Sequence, residues 1–202
     1  DGIVLDLRDN GGGSLNDVVD MAGLFINKGP IVQVKSNEGK IAVLDDRDTA
    51  IFYSGPLVVM VNTNSASASE IMAAAIQDYK RGVIIGTQTF GKGTVQRFFN
   101  LDDYLTKSYQ QYKPLGQVKI TTQKFYRISG GTTQLKGVIP DIILPDRFQY
   151  VDEGEKDYEY ALPWDEIPSQ RYYSWRNGMK NIPAVANSKT RVERNETFSF
   201  IN

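Results

Sequence analysis

Three side chains stand at spacings that suit acyl transfer. They are Ser67 in Ser65-Ala66-Ser67-Ala68-Ser69-Glu70, Lys92 in Thr89-Phe90-Gly91-Lys92-Gly93-Thr94-Val95-Gln96, and Gln96 itself. A hydroxyl, an amine to take its proton and an amide to orient that amine are the parts of a serine nucleophile working without imidazole. The chain contains no histidine, which removes every Ser-His-Asp mechanism and the commonest zinc ligand. It contains no cysteine either, so thiol catalysis, disulfides and thiolate-bound metal are excluded. No metal or other cofactor is expected.

Ser67 has two readings. Ser67-Ala68-Ser69-Glu70 fits the capping-box pattern, in which the serine oxygen accepts a backbone N–H and the glutamate reaches back. The same place, at the first turn of a helix, offers unpaired N–H groups and the positive end of the helix dipole to an oxyanion. Lys92, between two glycines after an apolar run, is either an ordinary turn lysine or a base on a backbone free to bend tightly. The string is not a phosphate loop, because Gly93 stands where that motif needs Ser or Thr directly after Lys.

A lysine that serves as a base must lose its proton near neutral pH, whereas a free side chain titrates near ~10.4. Closing that gap to ~7–8 takes roughly 4 kcal/mol, which desolvation among apolar neighbours can supply. The sequence therefore predicts a dry site walled by Phe90, Val95 and an alanine-faced helix. An amide such as Gln96 suits this role, since it orients an amine without holding the proton on.

The elements that must position these residues are read from periodicity. Gly2–Leu7 and Leu57–Val61 are short β-branched runs expected as buried strands, the first stopped by Asp9-Asn10-Gly11-Gly12-Gly13. Helical spacing from Ser14 is expected to end near Lys28-Gly29-Pro30, and a second, small-residue helix is expected over Ala68–Tyr79. Ile31–Val34 and Ile41–Leu44 read as a hairpin, and Val83–Gly86, Thr94–Phe98 and Val118–Ile128 as further strands. Ser129-Gly130-Gly131-Thr132 turns the chain, and Gly137–Leu144 closes the region. Strand, helix, strand at these lengths implies parallel crossovers and an α/β layer fold. Past Pro145 the sequence turns polar, aromatic and weakly periodic. Residues 146–202 are expected to pack on the 1–145 core or to begin a second domain, with Pro163-Trp164-Asp165 and Trp175 as anchors.

Of 202 residues, 41% are hydrophobic, enough for one good-sized core. Lys and Arg total 23 against 24 Asp and Glu, which gives no electrostatic reason to expect nucleic acid or an anionic membrane as partner. No apolar stretch approaches the ~18 residues of a spanning helix, and no export peptide opens the chain. A chain that starts without Met inside a strand-like run is expected to be a piece of a longer protein.

With "SASASE" and "TFGKGTVQ" preceded by "LDLRDNGGG" and followed by "QKFYR" and "KGVIPDI", the chain resembles the carboxyl-terminal processing proteases, the tail-specific Ser-Lys peptidases of the S41 type. The resemblance runs from about Gly2 to Pro145, and Ala161-Leu162-Pro163-Trp164-Asp165 resembles the stretch after the protease core in tail-specific members. It implies a ClpP/crotonase-like α/β core in which Ser67 is the nucleophile, Lys92 the general base 25 positions later, and Gln96 the residue that orients it. It implies an oxyanion hole made of the Gly13 and Ala68 N–H groups. Three consecutive glycines also form, on physical grounds, a backbone nest for an anion. Asp78 matches an aspartate needed in tail-specific members, with a structural helix-end role as the alternative.

The implied substrates are unfolded or C-terminally exposed polypeptides of the bacterial cell envelope. The implied location is periplasmic or membrane-anchored facing the periplasm, with an adaptor protein or a homo-oligomer as further partners. Members carry an upstream PDZ domain that captures the substrate tail; this sequence contains none. Two other classes remain open: a non-catalytic peptide- or ligand-binding module of the same fold, and a Ser-Lys amidase or esterase acting on small molecules.

Overall fold

Both β-branched runs become strands and together place the site, but only Leu57–Val61 is buried as expected; the first run lies at the sheet edge, with Ile3 37% and Val4 62% exposed. In the computed structural model, which describes residues 1–47, 49–148, 150–175 and 182–201, β1 (Ile3–Asp6) lies parallel to β4 (Leu57–Val61), with Ile3 opposite Leu57 and Asp6 opposite Met60. Continuing outward are β5 (Val83–Gly86) and the two-residue β8 (Ile142–Ile143), giving a parallel sheet of order β1-β4-β5-β8. The crossover from β1 carries α1 (Leu15–Gly23), and the crossover from β4 to β5 is α2 (Ala68–Asp78). Val59, Ala73 and Ile76 are wholly buried where strand and helix meet. Alanines on α2 allow that close approach, and each large aliphatic side chain buried there stabilises the core by ~1.5–3 kcal/mol.

The remaining strands form a second, antiparallel sheet. β2 (Gly29–Ser36) pairs with β3 (Ile41–Asp46) as the expected hairpin, while β6 (Thr94–Asn100) pairs with β7 (Gln117–Tyr126). The sheet order β3-β2-β7-β6 joins them through Gln33 opposite Tyr126. Between β6 and β7 two 3₁₀ turns, Leu101–Tyr104 and Lys107–Tyr112, form an exposed excursion.

One boundary departs from the periodic reading. Helix α1 stops at Gly23 rather than near Lys28 because the next carbonyls are taken by distant donors. Leu24 O accepts from Phe52 N and Tyr53 N, and Phe25 O from Arg81 Nε at 2.8 Å. The run Gly137–Leu144 is irregular apart from β8: Val138 N donates to Thr89 Oγ1 at 2.7 Å and Val138 O accepts from Thr89 N at 3.2 Å.

Beyond Pro145, residues 163–165 and Trp175 make contacts with the preceding elements. Trp164 Nε1 donates to Thr132 O at 2.9 Å, and Lys124 Nζ and Tyr126 OH both reach Asp165. Pro163 O accepts from Lys124. Trp175 N donates to Tyr79 O, and its ring lies 4.7 Å from the guanidinium carbon of the buried Arg81. Helices α3 (Ile182–Glu193) and α4 (Glu196–Ser199) follow. Among the described residues no helix is long and apolar enough to cross a membrane.

Candidate active site

Parallel neighbours β1 and β4 end side by side, and the turns that follow them are laced together. This is the edge at which open α/β sheets commonly bind ligands. Asp9 N donates to Asn62 Oδ1 while Asn62 Nδ2 and Asn64 Nδ2 donate to Asp9 Oδ1. Those amide hydrogen bonds, with Asn62 first, hold the Asp9 carboxyl below its ordinary range. Asn10 O accepts from Ala66 N at 3.0 Å and from Ser69 Oγ at 2.9 Å. Ser65 Oγ donates to Leu7 O at 2.7 Å. Two of the three alternating serines are therefore buried fasteners between the turns.

Ser67 is different. It is half-buried, with φ 58 and ψ −114, a backbone conformation that non-glycine residues rarely adopt and that costs ~1–3 kcal/mol. Its hydroxyl faces the Glu70 N–H as in a capping box but closes no hydrogen bond to it, and that N–H pairs with the Ser67 carbonyl at 2.9 Å. The strained turn packs directly against Gly12. A Cβ added there would lie 2.8 Å from both Ser67 Cβ and Ala68 N, and Gly12 has φ +100, so only glycine fits.

A cavity of about 370 Å³ opens over this turn. The glycines Gly11–Gly13, Ser67 and Ala68, Lys92 and Gln96 line it, with Leu15, Ile71, Val95 and Phe125 as apolar walls. Five predicted site residues thus share one space. The expected wall residue Phe90 does not line it, because its ring packs on Tyr158, 6.1 Å between centroids. Phe125, from β7, takes that place. The site is also less enclosed than anticipated: Ser67 and Lys92 are half-buried and Gln96 is exposed.

The N–H groups around the turn are allotted in a way that bears on the expected oxyanion hole. Gly12 N donates to Asn10 Oδ1, Ser67 N to Glu70 Oε2, and Ser69 N to Ala66 O. The N–H groups of Gly12, Ser67 and Ser69 are thus spent on the protein itself, while the residues Gly13 and Ala68 line the cavity.

Glu70 is the residue that sequence reasoning undervalued. It is wholly buried, and its carboxylate accepts from Ser67 N at 2.8 Å, Lys92 N at 2.9 Å, Gly91 N at 2.8 Å and Thr89 Oγ1 at 2.6 Å. Desolvation pushes its carboxyl up to about 7, against the pull of those four hydrogen bonds. One side chain thereby fixes both the serine turn and the lysine loop. A signal existed: Glu70 is the sole charged residue in the run Ser65–Ile76. The rest of that loop is pinned by Gly93 N to Gln134 Oε1 and by Thr133 Oγ1 to Lys92 O.

Asp78 is not brought to this cavity. It lies at the far end of α2, eleven residues and about 16 Å of helix from Ser67. Its side chain, 8% exposed, pairs with Arg127 through Arg127 Nε at 3.1 Å and Nη2 at 2.6 Å.

The model of peptidase family S41 matches residues 1–144, and that of the C-terminal domain of tail specific protease matches residues 148–202. The tail-specific protease of Haemophilus influenzae is 46% identical over 206 residues, covering 99% of this chain and 29% of the relative. The carboxy-terminal-processing protease of Bartonella bacilliformis is 36% identical, covering 82% of this chain and 35% of the relative. The chain thus spans about a third of the relatives' length. Among solved structures, the photosystem II D1 C-terminal processing protease superposes with a TM-score of 0.59 at 35% identity, over 71% of this chain and 34% of that one. The chain belongs to peptidase family S41.

Proposed function

We propose that this chain is the proteolytic core of a tail-specific serine endopeptidase that uses a Ser67–Lys92 dyad. The observation that carries the reading is the strained Ser67 at a helix N-terminus, sharing one cavity with Lys92, Gln96 and the Gly11–Gly13 turn.

In this mechanism the neutral Lys92 amine, oriented by the Gln96 carboxamide, takes the proton of Ser67 Oγ as that oxygen attacks the peptide carbonyl. The Gly13 and Ala68 N–H groups donate to the resulting oxyanion, aided by the positive end of α2. Protonated Lys92 then gives its proton to the leaving amine. A water molecule, deprotonated by the same amine, releases the acyl group and restores the serine. Because the cleft is open on one side, the bound peptide completes its desolvation. An extended substrate laid along β6 would present its carbonyl to this turn.

We extend the reading to polypeptides with exposed C-terminal tails in the bacterial cell envelope, the substrates that the family resemblance implies, with 1–145 as the peptidase unit and 146–202 as an extension packed on it. Asp78 has a structural part in this scheme. The test is labelling of the full-length protein by a fluorophosphonate. Labelling that vanishes in Ser67→Ala, together with degradation of an unfolded protein in preference to a small ester, is expected. An unlabelled full-length protein would leave only a binding module.

A further inference from the structure

A second cleft lies directly beside the catalytic cavity. It encloses about 290 Å³ between the β6–β7 hairpin and residues 155–162, and both cavities are lined by Thr94 and Gln96. The far wall comes from the C-terminal extension: Glu155, Tyr158, Glu159 and Leu162. This wall is fastened to the lysine loop. Glu155 N donates to Phe90 O at 2.9 Å, Glu155 Oε1 accepts from Gln134 Nε2 at 3.0 Å, and the Tyr158 ring packs on Phe90.

We propose that this cleft is a second substrate subsite, which receives a lysine or arginine side chain of the peptide two residues from the one seated in the catalytic cavity. The inference rests on the reading of the neighbouring cavity as the peptidase centre. The geometry follows from an extended peptide, whose side chains at i and i+2 project to the same side ~7 Å apart. Thr94 and Gln96, common to both cavities, form the ridge such a peptide crosses. The chemistry follows from the lining. The catalytic cavity presents two lysines, Lys92 and Lys119, whereas the second cleft presents two carboxylates and no basic side chain among its lining residues. Exposed Tyr158 and Leu162 offer an apolar path for a long aliphatic stem, and a tyrosine face also attracts a cation. Glu155 is tied to Gln134, so the exposed Glu159 is the carboxylate placed to meet the cationic head.

The experiment uses the full-length protease with quenched fluorescent peptides carrying lysine, norleucine or glutamate at each position near the cleaved bond. Lysine is expected to exceed norleucine in kcat/KM by about two- to fivefold at one position, as for a partly exposed ion pair. Glu159→Gln should erase that preference and leave the norleucine peptide unaffected. Glu159→Lys should turn it toward glutamate. A lysine-to-norleucine ratio near one in the wild type, or one that neither substitution moves while Ser67 still labels, overturns the subsite alone. Absence of both labelling and cleavage in the wild type overturns the catalytic reading, and the subsite with it.

Discussion

The backbone N–H groups of Ser67 and Lys92 converge on a single oxygen, Glu70 Oε2, at 2.8 and 2.9 Å. Residues 25 positions apart are thus held in register by one buried carboxylate, whose other oxygen accepts from Thr89 and Gly91. Glu70→Ala leaves four donors without their acceptor, at ~1–3 kcal/mol for each that water cannot reach. A loss of more than about 3 kcal/mol is expected in urea unfolding, with fluorophosphonate labelling of Ser67 lost at denaturant concentrations the wild type tolerates.

Glu70 also predicts a pH dependence. Its carboxyl is raised from 4.5 to about 7 in the folded protein, so between these values the native state holds a proton that the unfolded chain has released. Stability from this group is therefore fully present below about pH 4.5 and declines as pH rises toward 7, by up to roughly 3 kcal/mol. Urea midpoints measured from pH 4.5 to 8 should show this slope. Glu70→Gln, which cannot titrate, should lower the midpoint throughout and flatten the slope; an unchanged slope would refute the assignment.

Gly12→Ala should disable the site more than the fold. The added methyl meets Ala66 O, Ala68 N and Ser67 Cβ within 2.7–2.8 Å, at a φ that alanine disfavours. A displacement of 1 Å at the nucleophile can cost ~100-fold. Cleavage of an unfolded substrate should fall by about that factor, while the far-ultraviolet circular dichroism spectrum stays native.

Lys92→Met removes the proposed base and keeps the side-chain length. General-base removal costs typically ~10²–10⁴-fold, so kcat should fall at least about a hundredfold with little change in melting temperature. Cleavage at the wild-type rate would eliminate the dyad.

Asp78→Ala separates stability from chemistry. The pair with Arg127 is partly buried, 8% and 21% exposed, so its rupture should cost about 2–3 kcal/mol, between the exposed and fully buried limits. For a chain of this size that corresponds to a melting temperature lower by about 5–10 °C. At a temperature where the variant remains folded, Ser67 should label at the wild-type rate.

Much of this molecule was readable from residue order. Val58-Val59-Met60-Val61 and Val83-Ile84-Ile85 announce buried strands, and Ala73-Ala74-Ala75 a helix that packs closely, because branched and small side chains carry strong local preferences. The division into two sheets was not readable. It depends on Gln33 meeting Tyr126 and Val95 meeting Gln123, pairings that no local pattern encodes. Ser67, Lys92 and Gln96 were visible as types at a spacing, but not the strain at Ser67, whose turn packs against a glycine more than fifty positions earlier. Glu70 was hidden for another reason. The capping box accounted for it well enough that its bonds to Thr89, Gly91 and Lys92, made across the fold, had no trace in the hexapeptide.

The contact between Gly12 and the Ser67 turn has a consequence for anyone who would transplant this hexapeptide. Set into another scaffold by itself, it would lose the Asn10 carbonyl that accepts from Ala66 N and Ser69 Oγ, and is expected to relax toward an ordinary helix start. What must travel as one unit is a pair of adjacent parallel strand ends, Asn10–Gly12 on one and Ser65–Glu70 on the other.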